Sequence, residues 1–117
     1  MSIEVQEGQR RIHEYSMREI KVILESLYSV FGDEFFPLAN NVEKLGNGTE
    51  RQGLGTTILK QKPGDITHAQ GSSYLGVVLE EAGYLEWNGK RKGICWRITK
   101  MDFAEQTLIS RLTVASM

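Results

Sequence analysis

The sequence predicts an α+β domain in which three or four helices precede a C-terminal β-hairpin, with an additional helix closing the chain. Three observations predict it. Met17, Ile20, Leu24, Leu27, Tyr28 and Phe31 recur at helical spacing behind Ser16, which gives one apolar helix face. Leu75, Val78, Leu79 and Ala82 follow at i, i+3, i+4 and i+7 and run into Gly83, where a glycine cap can close a helix. Tyr84 to Asn88 and Ile94 to Ile98 then flank the polar run Asn88-Gly89-Lys90-Arg91-Lys92-Gly93, the pattern of two strands joined by a turn.

Residues 1–15 lack a sustained apolar period and are expected to form a flexible arm, leaving 16–113 as a single domain. Ser16 and Glu19 stand in capping-box spacing at the start of a helix over 16–31, which Ile23 and Val30 widen and Gly32 stops. Pro37 suits a first helical turn, with Leu38, Val42 and Leu45 behind it, so a short helix is expected over 37–45 before Gly46-Asn47-Gly48 breaks it. Thr49 and Gln52 make a second capping pair for a helix through Leu54, Ile58 and Leu59. Gly53 and Gly55 each cost that helix about 1 kcal/mol relative to alanine. Lys62-Pro63-Gly64-Asp65 reads as a turn. Thr67 and Gln70 form a third capping pair, opening a helix over 68–82. In the hairpin, Leu85 and Trp87 share one face, as do Ile94, Trp96 and Ile98. Asp102 and Glu105 cap a final helix carrying Phe103, Leu108, Ile109 and Leu112.

Composition narrows the function classes. A chain of 117 residues with 40% hydrophobic and 25% charged residues suits one folded domain. No apolar stretch approaches the roughly 20 residues of a membrane span. The polar first ten residues do not fit a secretory signal. Cys95 is the single cysteine and no Cys/His cluster accompanies it, so neither an internal disulfide nor a zinc site is expected, and a reducing cytoplasmic compartment is. The net charge is −1, yet its distribution is uneven. Residues 1–50 hold nine acids against five bases, while 51–100 hold four acids against eight bases. Such asymmetry is the footprint that a nucleic-acid-facing surface leaves on an acidic protein.

Helix, turn, helix and a glycine-ended junction into a hairpin with a basic tip resemble the winged helix-turn-helix family. The stretch Ser72-Ser73-Tyr74-Leu75 through Leu79-Glu80-Glu81-Ala82-Gly83-Tyr84-Leu85, followed by Lys90-Arg91-Lys92, carries the resemblance. It implies a winged-helix domain that binds double-stranded DNA as a transcriptional regulator. The 68–82 helix would enter the major groove and the hairpin would be the wing. Thr67, His68, Gln70, Ser73 and Tyr74, with Val77, are then expected on the outward face of that helix. Glu80 and Glu81 fall in its C-terminal half. Lys90, Arg91 and Lys92 would reach phosphates or the minor groove, Arg97 and Lys100 would lie at the wing's return, and Arg51, Lys60 and Lys62 would flank the second helix. The apolar terminal helices, Leu108, Ile109 and Leu112 included, would build a homodimer that presents two such helices to a palindromic site.

Blander roles stand beside these. Tyr74 also suits the edge of the core, Gln70 a reciprocal cap, and the lysine-rich tip a solvated turn. Trp87 and Trp96 suit core cover better than base stacking. No metal partner sits at helical spacing from His68. No phosphate loop or nucleophile motif is present, so no enzymatic activity and no cofactor are expected. The competing function is a winged-helix protein-interaction module that makes no DNA contact.

Overall fold

The computed structural model describes residues 2–7, 11–39, 52–61, 65, 68–69 and 71–115. Strands β1 (Ser2–Glu7) and β2 (Arg11–Ser16) pair antiparallel from Ser2↔Ser16 to Glu7↔Arg11. The expected flexible arm is therefore a hairpin. It is tied down at its exit by Tyr15, which is fully buried and donates its hydroxyl to the His68 carbonyl at 2.8 Å.

Helix α1 (Met17–Phe31) begins where expected. The Ser16 Oγ accepts the Glu19 backbone N–H at 3.0 Å, one arm of the capping box. Met17, Ile20, Ile23, Leu24 and Leu27 face the core, whereas Tyr28 and Val30 of the same sequence stripe are exposed. Gly32 ends the helix, its N–H donating to the Tyr28 carbonyl.

Beyond it the structure departs from the helix expected over 37–45. Phe36–Pro37 is a short strand, β3, paired with β5 (Cys95–Ile98) through Phe36↔Trp96 and Pro37↔Cys95. Burial explains the change: Phe36 is fully enclosed, its ring 5.5 Å from that of Phe31. A two-residue edge strand tolerates the missing proline N–H. Residues 40–45 lie outside the described ones, as does Thr49. Helix α2 (Leu54–Gln61) starts later than the Thr49–Gln52 pair implied. Its start is held by Thr56, whose Oγ1 accepts the Gly53 N–H at 2.9 Å, and by Thr57, whose Oγ1 donates to the Gly53 carbonyl at 2.6 Å.

The helix expected over 68–82 is divided. His68 and Ala69 are helical, Gly71 is a turn, and α3 runs over Ser72–Glu81. The leading turn is capped by Asp65, whose Oδ1 accepts the His68 N–H at 3.1 Å. By sequence alone Asp65 belongs to the preceding Lys62-Pro63-Gly64-Asp65 turn. Leu75 and Leu79 point into the core, followed by Ala82. Gly83, at φ +85°, then reverses the chain. Its N–H bonds the Glu80 carbonyl at 3.0 Å and the Tyr84 N–H bonds the Leu79 carbonyl at 2.9 Å, the paired bonds of a Schellman ending.

Strand β4 (Leu85–Trp87) pairs with β5 through Leu85↔Ile98, Glu86↔Arg97 and Trp87↔Trp96, and the sheet order is β3–β5–β4. Helix α4 (Glu105–Ala115) follows a loop in which Asp102 accepts from the Ala104 N–H and the Thr107 hydroxyl. Leu108 and Leu112 are fully buried and Ile109 packs against the same core. The apolar residues of α1 and α4 expected at a dimer interface are thus largely occupied within one chain, where α1 packs on α2, α4 and β2.

The described residues form a small α+β fold with four helices and a three-stranded antiparallel sheet, and the β1–β2 hairpin beside them. No helix among them is long and apolar enough to cross a membrane.

Candidate nucleic-acid interface

The sheet's inner face buries Leu85, Trp96 and Ile98 against α3. The approach is close because residue 76 has no side chain. A Cβ there would stand 2.6 Å from Trp96 Cζ2. Helix and hairpin are therefore fixed relative to one another, and the hairpin's far end projects past the helix as an open cleft of about 420 Å³. Ser73, Tyr74, Val77 and Glu80 form its helical wall, and Trp87, Arg91, Ile94 and Trp96 form the other.

The tip of the hairpin is shaped by its own polar groups. Asn88 Nδ2 donates to the Gly93 carbonyl at 2.9 Å, the Lys90 N–H donates to Asn88 Oδ1 at 3.1 Å, and Trp87 Nε1 donates to the Lys90 carbonyl at 3.2 Å. A tip held this way presents Lys90, Arg91 and Lys92 to solvent, and none of the three has an ion-pair partner among the described residues. Three adjacent cations on a short, braced turn make an anion-attracting surface. Helix α3 contributes no cation; its charged residues are Glu80 and Glu81.

The expected site residues divide into groups. Ser73 and Tyr74 reach the cleft together with Arg91. Tyr74 is half-buried, packed at the edge of the core with the rest of its surface lining the cleft. Thr67 and Gln70 lie outside the described residues. Arg97 is on the opposite face of the hairpin, 3.0 Å from Glu86 across the strand pair and stacked 5.3 Å above the Phe35 ring. Its guanidinium is already engaged away from the cleft.

His68 corrects the outward-face expectation. It is buried, with Nε2 2.5 Å from Glu19 Oε2 and its ring 4.4 Å from that of Tyr15. The pair bolts the turn before α3 onto α1. A buried carboxylate needs such a partner, and the partner lies 49 positions away, beyond any local pattern.

Trp87 is the cleft residue that sequence reading assigned to core cover. It is 42% exposed, whereas its cross-strand neighbour Trp96 is 3% exposed. Its position one residue before the polar turn is the signal that separates the two. Among the described residues no group of three or more His, Cys, Asp or Glu side chains could hold a metal. Comparison of the chain with protein-family models, with curated proteins and with solved structures gives no match.

Proposed function

We propose that the protein is a winged-helix DNA-binding regulator, with α3 as the recognition helix and the β4–β5 hairpin as the wing. The observation that carries this reading is the juxtaposition at the cleft. The outward face of α3 stands beside a braced turn bearing Lys90, Arg91 and Lys92, none of them ion-paired among the described residues. The order α1, β3, α2, α3, β4, β5, with β5 central in the sheet, agrees with a winged helix. In such an arrangement the helix meets base edges and the wing lies along the phosphates. Division of labour follows from charge: the wing supplies attraction and α3 supplies discrimination.

A homodimer on a palindromic site belongs to the same proposal. Because Leu108 and Leu112 are buried within one chain, the second copy would dock elsewhere, and the exposed Tyr28 and Val30 at the end of α1 are among the apolar groups it could cover. A second reading, a protein-docking module, is favoured by Glu80, Glu81 and the exposed apolar groups of the cleft.

Selection from a random duplex pool at low and moderate salt tests the proposal. The regulator reading expects salt-sensitive retention and an enriched motif, palindromic where the dimer forms. Absence of retention even at low salt would overturn it in favour of the docking module.

A further inference from the structure

We propose that α3 reads A·T pairs through the thymine methyl group, with Val77 as the residue that receives it. The inference rests on the DNA-binding reading and specifies what that site selects. Helix α3, SSYLGVVLEE, contains no lysine or arginine. Guanine presents two acceptors in the major groove, N7 and O6, and the side chains that read them are chiefly the forked or ammonium donors that α3 lacks. Glu80 and Glu81 add acceptors only, and so cannot meet guanine N7 or O6 themselves.

What the helix does offer is apolar surface and acceptors. Val77 is 48% exposed and lies in the cleft with Trp87, itself 42% exposed. It is not needed for the core, because Leu75 and Leu79 fill the inward face. The apolar group that base pairs display in the major groove is the thymine C5-methyl, and the adenine paired with it offers an N6 amino donor. Glu80 follows Val77 at i+3 on the same wall of the cleft. A methyl against Val77 marks thymine, whereas Glu80 accepts from the amino group of either adenine or cytosine, so the choice of pair rests on Val77. Ser73, one turn before Val77, adds a hydroxyl that serves either polarity.

The test uses four duplexes of equal length: alternating adenine–thymine, the same with uracil for thymine, alternating guanine–cytosine, and the same with 5-methylcytosine. Affinities are measured by fluorescence anisotropy at fixed low salt for the wild type and Val77→Ala. Burying one methyl group corresponds to about a fourfold gain in affinity. The wild type is expected to prefer thymine over uracil, and 5-methylcytosine over cytosine, by roughly that factor. Val77→Ala, at an exposed position, is expected to fold normally and to bind thymine and uracil duplexes equally. That equality also separates a methyl contact from any change in duplex shape caused by uracil.

Salt-sensitive binding by the wild type without methyl preference would overturn this proposal and leave the DNA-binding reading standing. A methyl preference that survives Val77→Ala would overturn it too. No binding to any of the four duplexes would remove both.

Discussion

Gly76→Ala tests the joint that sets the angle between α3 and the hairpin. The added Cβ would lie 2.6 Å from Trp96 Cζ2 and 2.7 Å from Cη2, well inside van der Waals contact. Trp96 is 3% exposed and paired on both sides, to Phe36 in β3 and Trp87 in β4, so its ring has little room to retreat. Forcing a methyl group into such a site costs about 1–3 kcal/mol. Alanine in place of glycine within a helix returns about 1 kcal/mol. The net expectation is a loss of roughly 1 kcal/mol, read from urea unfolding followed by far-ultraviolet circular dichroism. The decisive version adds Trp96→Leu. With the indole gone, Gly76→Ala should change sign and stabilise that background by up to about 1 kcal/mol. If Gly76→Ala stabilises the wild type, or has the same effect in both backgrounds, α3 does not approach Trp96 as described and the cleft geometry loses its basis.

Other perturbations probe the remaining joints. Glu19→Ala strands His68 and removes the bolt between α1 and the turn before α3. Leaving a buried polar group without its hydrogen-bond partner costs about 1–3 kcal/mol, so a fall in thermal midpoint of several degrees is expected, and an unchanged midpoint would contradict the pairing. The Tyr84 phenol is raised above its ordinary range, first by burial and then by Asp102, with Arg111 opposing. A raised acid is neutral in the fold, so its contribution is intact below the unfolded value of about 10 and is lost as pH climbs above it. Stability is therefore expected to fall more steeply with alkaline pH in the wild type than in Tyr84→Phe, and equal slopes would refute the assignment. Arg97→Ala should leave the salt dependence of duplex binding unchanged, because its guanidinium is engaged with Glu86 and Phe35 away from the cleft; a flattened dependence would place Arg97 on the phosphates.

The parts of the fold legible in the sequence are those with local causes. Ser16 followed by Glu19 marked the start of α1, and Gly83 marked the end of α3, because capping bonds close within a few residues. The hairpin was legible from its turn chemistry and its alternation. What escaped depends on distant partners. Pro37 looks like a helix start until Phe36 is seen to pair with Trp96. Residues 2–7 and 11–16 carry no sustained period, yet become strands by pairing with each other. Helical spacing continues through Gly71 and so concealed the break that separates His68 from α3. His68 itself has nothing local to distinguish a surface role from its pairing with Glu19. At the candidate site, the three tip cations were legible as a run, whereas Arg97 was not separable from them until the register placed it opposite Glu86.

If the hairpin tip holds DNA phosphates, the salt dependence of duplex binding must differ between the wild type and the triple variant Lys90→Ala, Arg91→Ala, Lys92→Ala. Each phosphate contact contributes about 0.9 to the slope of log affinity against log salt, so three contacts correspond to a slope shallower by roughly 2.7 in the variant. That reduction, with weaker binding to all sequences alike, is the expected result. An unchanged slope, or no wild-type binding at low salt, would contradict the claim.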